Sequence, residues 1–406
     1  MRFVLWLLMS FSFVFSLTLD RALELAIKNH TSSKLSLLDI EKARENIKKA
    51  RAGILPQLSF SYSYTRLGGE LAFGFTPKNR HSYTFELDQA IFDKSVFEGL
   101  SLARNQEELQ RLVYEDVLRE VQFQTKQLFY ALLYKKEVVK IAQENLRYWE
   151  ENLRLAQTKF EAGILPKVEL MRAKAQLEKV KADFEKAVAD YKKSLEDFKS
   201  FLKYEGEDIE PEGELKAIEY KQEDYEKLLE NNSTIKVAKK SLEVLEKAVE
   251  VQKSQYYPSL SAFATYQGNT ARLGGSDKMV EGYTFGVRFN YKIFDGFARE
   301  ANVAQAKLDV LKQMENLKDV ETSQRAELRK TLLDLGSLKA QLNALELSLE
   351  SAKESLRLST ERYKFGVASQ LEVLDAINNY NSLLESYYYT LYLYNTSLAR
   401  LERLTR

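Results

Sequence analysis

The sequence predicts an α+β membrane protein made of two copies of one unit: helix, β-hairpin, long helix, return helix. Three observations carry this reading. First, Tyr283 to Asp295 alternates. Tyr283, Phe285, Val287, Phe289, Tyr291 and Ile293 share one face of a strand, and Thr284, Gly286, Arg288, Asn290 and Lys292 share the other, because side chains change sides with period two. Second, the chain repeats itself. Ile91-Phe92-Asp93 returns as Ile293-Phe294-Asp295, Pro56 as Pro258, Arg66-Leu67-Gly68-Gly69 as Arg272-Leu273-Gly274-Gly275, and Gly163 as Gly366. A repeat of roughly 200 residues is a duplicated architecture. Third, two long proline-free stretches carry heptad seams whose members correspond at an offset of 203.

Composition bounds the function. The chain has 406 residues, 45% hydrophobic and 29% charged, ordinary for a folded protein. Lys+Arg 60 against Asp+Glu 59 gives no reason to expect nucleic acid as a partner. There is no cysteine, hence no disulfide, no thiolate site and no lipidated N-terminal Cys. His30 and His81 are the only histidines, which argues against a multi-histidine metal site and against histidine catalysis. No P-loop pattern occurs. No enzyme activity and no cofactor are expected.

Residues 1–16 read as a signal peptide. Arg2 supplies the positive start, Phe3 to Phe15 is apolar apart from Ser10 and Ser12 but too short to span a bilayer, and Val14-Phe15-Ser16 suits a cut before Leu17. The alternative is a hydrophobic first helix. After Ser16 no run of about 20 apolar residues remains, so no membrane-spanning helix is expected.

The first copy covers residues 17–203. Leu19 to Ala52 has helical spacing, with a possible bend at Asn29-His30-Thr31, and ends at Gly53 and Pro56. A β-hairpin over about 58–92 follows. Phe60, Tyr62 and Tyr64 oppose Ser59, Ser61 and Ser63; Tyr83, Phe85 and Leu87 oppose Ser82, Thr84, Glu86 and Asp88. Arg66 to Arg80 reads as a Gly-rich loop. Asp93 is placed to cap the long helix, from about 95 to 161. At 1.5 Å per residue that helix is on the order of 100 Å, the length of a coiled-coil strut. Its seam is Val139, Ala142, Leu146, Trp149, Leu153, Ala156 and Phe160. Gly163-Ile164-Leu165-Pro166 breaks it, and a return helix to 203 carries Leu177, Val180, Phe184, Ala187, Tyr191, Ser194, Phe198 and Phe201. The first helix has about the length the return helix lacks, so the two are expected end to end.

Residues 204–220 read as an acidic linker. The second copy, 221–406, repeats the order. A helix from Gln222 to Gln255 precedes a hairpin over about 259–294, with Gln267 to Gly282 as its loop. A coiled-coil hairpin over about 297–404 follows, starting at Asp295-Gly296. Its seams are Leu342, Leu345, Leu349, Ala352, Leu356, Ser359 and Tyr363, then Tyr380, Leu383, Tyr387, Thr390, Tyr394, Ser397, Leu401 and Leu404. The second tip is Phe365-Gly366-Val367-Ala368-Ser369.

The strands divide two readings. Each alone fits a half-buried strand of a soluble sheet or a strand with lipid outside and water inside. Four strands cannot close a barrel, and open edges are not tolerated in lipid. Embedded strands therefore require an oligomer. A dimer brings about eight strands and essentially no lumen; a trimer brings about twelve and a pore.

These residues together resemble the TolC-like outer membrane efflux proteins. The likeness covers Leu17 to Arg406 and rests on the duplicated order. It also rests on Tyr291-Lys292-Ile293-Phe294-Asp295-Gly296, which is similar to the family's strand-to-helix transition, and on Tyr363-Lys364-Phe365-Gly366 through Leu371-Glu372-Val373-Leu374-Asp375-Ala376, which is similar to its second tip. The resemblance implies a homotrimer with a 12-stranded outer membrane barrel continued by a periplasmic α-helical tunnel. It implies passive transport of drugs, metal ions or secreted proteins, in a tripartite efflux or type I secretion system. The partners implied are outer membrane lipid, a periplasmic adaptor and an inner membrane pump.

The resemblance also implies roles for residues. Glu372 and Asp375 would ring the closed entrance, six carboxylates around a narrow wet mouth; otherwise they are a solvated helix face. Tyr363 matches a tyrosine that latches the tips, with Glu169 as a candidate hydrogen-bond partner, while the family's latch arginine falls on Ala368. Gly163, Ile164, Leu165, Pro166, Gly366, Val367, Ala368 and Ser369 are the expected adaptor-contact turns, residues that otherwise only end helices. Arg288, Asn290 and Lys292 are the expected pore-facing strand residues. Rival readings are a secreted coiled-coil adhesin, whose strands would form a soluble sandwich, and a periplasmic adaptor, which would carry one helical hairpin rather than two.

Overall fold

In a computed structural model describing residues 15–71, 76–206, 209–219 and 223–405, the duplicated order is explicit. It runs β1 (Phe15–Leu17), α1 (Leu19–Asn29), α2 (Thr31–Ala52), β2 (Gln57–Arg66), β3 (Asn79–Phe92), α3 (Lys94–Glu161) and α4 (Lys167–Leu202). Then follow β4 (Ile209–Pro211), α5 (Tyr225–Leu228), α6 (Ser233–Lys253), β5 (Ser259–Leu273), β6 (Ser276–Asn290), α7 (Ala298–Lys364) and α8 (Gln370–Thr405). Most of the expected export segment, residues 1–14, and residues 72–75 of the first hairpin loop lie outside the described residues. The chain divides into two compact units. One takes residues up to 35, 115–233 and 322 onward; the other takes 36–114 and 234–321.

The second of these units holds a four-stranded antiparallel sheet in the order β2-β3-β5-β6. Direct cross-strand pairs put like chemistry together. Phe60 pairs with Phe85, Phe85 with Tyr266, and Tyr266 with Tyr283. On the opposite face Ser61 pairs with Thr84, Thr84 with Gln267, and Ser261 with Arg288. The sheet is thus aromatic on one side and polar on the other. The outer strands β2 and β6 are almost wholly exposed along their length. Tyr283 and Phe285 are 76% and 75% exposed, so among the described residues nothing covers the aromatic face there.

The strands correct three expectations. Gln267 to Gly282 is not a loop: β5 runs on to Leu273, Leu273 pairs with Ser276, and a two-residue turn joins the strands. Gly274 and Gly275 have φ of 59° and 86°, the double left-handed conformation of a tight hairpin turn, which glycine reaches without a Cβ clash. β6 ends at Asn290, so Lys292 lies beyond the strand. The helix after it starts at Ala298 rather than at Asp295-Gly296. Arg299 holds the intervening segment, 3.0 Å from Asp295 and donating to the Ile293 carbonyl at 3.3 Å. Asp93 acts as expected at the start of α3, accepting from the Ser95 backbone N–H at 2.9 Å.

The first unit is helical. The predicted bend is a break: His30 is extended between α1 and α2. Its ring lies 4.6 Å from that of Phe201 in α4, which places α1 beside the end of α4 as expected. The seams are buried at Trp149, Ala156, Leu177, Val180 and Phe198 in the first copy and at Leu342, Ala352, Tyr363, Tyr394, Leu401 and Leu404 in the second. Phe160 departs from its seam and is more than a third exposed. The linker includes β4, which pairs in parallel with β1. The helix expected over Gln222 to Gln255 is interrupted. α5 passes through a 3-10 turn to Asn232, whose side chain donates to the Leu404 carbonyl at 3.1 Å before α6 begins.

Two outcomes follow. Gly274→Ala should destabilise the hairpin by about 1–2 kcal/mol, the cost of a left-handed non-glycine residue, read as a lower unfolding midpoint in denaturant. Burial pushes the hydroxyls of Tyr130, Tyr134 and Tyr191 up to about 12. Their folded values lie above the unfolded value of 10.0, so the stability they contribute is full below that pH and lost as pH rises through the folded values. Circular dichroism at fixed denaturant should show stability falling from pH 10 to about 12, and Tyr130→Phe should lessen the fall.

Candidate functional site

Both helical hairpins reverse through the same backbone motif. At the end of α3, Gly163 has φ of 71°, its N–H donates to the Phe160 carbonyl at 2.9 Å, and Ile164 donates to the Lys159 carbonyl at 2.9 Å. At the end of α7, Gly366 has φ of 76°, its N–H donates to the Tyr363 carbonyl at 3.1 Å, and Val367 donates to the Arg362 carbonyl at 2.8 Å. This is a left-handed glycine closing a helix and satisfying its last carbonyls. Pro166 then sits at the N-cap of α4, and the Ser369 hydroxyl caps α8 by accepting from the Glu372 N–H at 3.2 Å. The turns leave apolar side chains in water: Ile164, Phe365 and Val367 are 72%, 84% and 70% exposed.

The side chains of the two tips differ although their positions correspond. At the offset of 203, Lys159 matches Arg362, Phe160 matches Tyr363, Glu169 matches Glu372, and Arg172 matches Asp375. In the first tip Glu169 pairs with Arg172 at 2.7 Å. Lys159 reaches the other hairpin: its Nζ donates to the Tyr363 carbonyl at 2.9 Å and lies 4.2 Å from the Tyr363 ring centre. It thus binds a last-turn carbonyl of α7, where a cation is favoured by the helix dipole. In the second tip Glu372 pairs with Arg362 at 2.5 Å. Asp375 is exposed one turn further along α8.

Tyr363 is buried, 4% exposed, and its hydroxyl has no hydrogen-bond partner among the described residues. The expected Tyr363–Glu169 hydrogen bond is therefore not formed within one chain. Burial raises the hydroxyl pKa, with smaller contributions from Tyr148 and Glu169. Beneath the tips a core of Trp149, Leu177, Val180 and Ile377 joins the hairpins, with Leu146, Leu153, Leu356 and Leu374 packed on it. Gln370 donates to Asn152 at 3.1 Å inside this contact. Beside it a groove of about 550 Å³ is lined by Trp149, Glu169, Arg172, Gln370 and Leu371 among others.

In the sheet-bearing unit, Arg288 and Asn290 fall on the polar face with Asp88 and Phe263. Arg288 is 3.5 Å from Asp88 and its guanidinium lies 5.0 Å from the Phe263 ring centre. That ring also covers Gly286. Lys292 does not join them. Among the described residues no group of three or more His, Asp or Glu is placed to hold a metal ion, and no helix is long and apolar enough to cross a membrane.

Lys159 and Arg362 are the tip residues that sequence reasoning missed. The offset of 203 pairs them with each other. Ser369-Gln370-Leu371-Glu372 also has the S-x-x-E spacing of a capping box, a signal that Ser369 ends a turn as well as lining it.

The family described as "Outer membrane efflux protein" matches residues 22–202 and 225–405, the two copies of the repeat. The outer membrane efflux protein BepC of Brucella suis is 25% identical over 150 residues, 37% of this chain and 32% of BepC, so the chain spans about a third of that relative. The outer membrane protein TolC of Escherichia coli is 23% identical over 372 residues, 86% of this chain and 74% of TolC. A crystal structure of CusC superposes with a TM-score of 0.83 at 17% identity, covering 97% of this chain and 93% of CusC.

The tip geometry makes a prediction about the tyrosine. With no partner in the chain, the Tyr363 hydroxyl should be dispensable: Tyr363→Phe is expected to change stability by less than about 0.5 kcal/mol, because no hydrogen bond is lost. Lys159→Met should cost about 0.5–1.5 kcal/mol through the lost carbonyl bond. Thermal unfolding of the purified protein checks both. A large loss in Tyr363→Phe would mean that a neighbouring chain holds the hydroxyl.

Proposed function

Because the chain belongs to the outer membrane efflux protein family, we propose that it is the outer membrane exit duct of a tripartite efflux or type I secretion system. It is a passive conduit, docked by a periplasmic adaptor and an inner membrane pump. Three chains supply twelve strands to one barrel. The observation that carries this is the four-stranded sheet, with unlike faces and, among the described residues, both edges unpaired. In hydrocarbon every backbone polar group must be satisfied, so such a sheet is viable only when other copies close it. Its aromatic face meets lipid. Its polar face, with Arg288 and Asn290, lines the pore. A secreted adhesin is less well supported, since the exposed aromatic face lacks the second sheet that a sandwich needs.

The helical unit lies in the periplasm. The exposed Ile164, Phe365 and Val367, at two turns of the same geometry, suit contact with an adaptor. Glu372 and Asp375, three apart on one helix, form the acidic entrance. The transported solute is a drug, a metal ion or a protein.

The detergent-purified oligomer should conduct in planar bilayers, and replacing Glu372 and Asp375 with Ala should lower its cation preference. A protein that is monomeric and soluble without detergent overturns the channel. Unchanged selectivity in the double variant removes the acidic entrance while leaving the channel.

A further inference from the structure

We propose that Arg362 is a specificity-determining residue of the entrance: it holds Glu372 as a counter-ion and leaves Asp375 as the free carboxylate that sets the charge of the mouth. This rests on the reading that Glu372 and Asp375 face the entrance. Arg362 lies in the last turn of α7 and Glu372 in the first turn of α8, and the pair spans the tip at 2.5 Å.

Turn and cap hydrogen bonds hold the backbone at both ends of the pair. The Arg362 carbonyl accepts from Val367 at 2.8 Å and from Ala368 at 3.3 Å. The Glu372 N–H donates to the Ser369 hydroxyl. In a capping box the glutamate side chain returns to the N-cap N–H; here it turns to Arg362 instead. The nearest competing carboxylate in sequence, Glu361, is 2.9 Å from Arg357. An ordinary surface pair loses much of its Coulomb gain to the ordering of two long side chains, and this pair has its backbones held already.

The chemistry at the mouth follows from the charges. Arg362, Glu372 and Asp375 together leave one net negative charge per chain, where the two carboxylates alone would leave two. The pair is partly exposed, with side chains 54% and 38% accessible, so its field acts on the water beside it. The first tip does not copy the arrangement. There the cation corresponding to Arg362, Lys159, is engaged with Tyr363, and Glu169 takes Arg172. The clasp is therefore a property of the second tip.

The test is reversal potential in a salt gradient across planar bilayers, with the full-length oligomer. Arg362→Gln should raise the cation-to-anion permeability ratio by roughly threefold, the scale for added unit charges near an ion path in high-dielectric water. Glu372→Gln added to it should return the ratio to the wild-type value, because the net charge is restored. Arg362→Lys should keep the wild-type ratio. A merely structural role for Arg362 predicts instead a change in conductance or stability that Glu372→Gln does not reverse, and that result overturns the proposal. Asp375→Asn separates the premises. If it leaves selectivity unchanged, these residues do not face the path and the proposal falls with the acidic entrance. If it lowers selectivity while Arg362→Gln does nothing, the proposal alone fails.

Discussion

Unpaired backbone at the edges of the sheet constrains everything else in this chain. Among the described residues β2 and β6 each pair along one side alone, and each presents a free row of N–H and C=O groups on the other. In water such an edge invites aggregation, and in lipid each unsatisfied group costs several kcal/mol. The faces of the sheet exclude a soluble remedy. A sandwich would cover the aromatic face, and nothing among the described residues does so at Tyr283 and Phe285. Closure by further copies satisfies both edges and puts the aromatic face outward. Local alternation of side chains thereby becomes a demand on assembly.

The helices answer a different constraint. Their seams carry buried apolar residues such as Trp149, Leu177, Val180 and Leu342, so each hairpin is stable only when its seam is covered. The core of Trp149, Leu177, Val180 and Ile377 is where the first hairpin meets the second. Fixing the hairpin turns matters for the same reason, since a slipped turn would move both seams out of register. A left-handed glycine at each tip, Gly163 and Gly366, sets that register with backbone bonds alone.

Legibility from sequence followed period. Strand alternation and heptad seams are one-dimensional patterns, and they placed the repeat, the sheet faces and the buried seam residues. Two features were not legible in the same way. Gly274-Gly275 looked like loop composition because glycine content does not reveal φ; the structure makes it a two-residue turn and extends both strands. Lys292 continues the alternation by letter, yet the ladder stops at Asn290. The tip side chains were legible only in part. Glu372 and Asp375 were singled out, while the partner of Glu372 was not, because a contact across ten residues of turn leaves no periodic trace. Comparing the copies position by position would have exposed Lys159 and Arg362 as a matched pair of cations.

That matched pair shows where a duplicated chain is free to diverge. The glycine turns cannot change without losing backbone bonds and adding left-handed strain, costs on the order of 1–2 kcal/mol per residue. The exposed ion pairs on them each contribute roughly 0–1 kcal/mol. Substitution among Arg362, Glu169, Glu372, Arg172 and Asp375 therefore alters stability little. It does alter which charge faces water at each tip. The two hairpins keep one backbone because folding requires it, and they carry different charges because folding does not oppose it. The charge that each tip presents to water is in this way set by residues that contribute little to the fold.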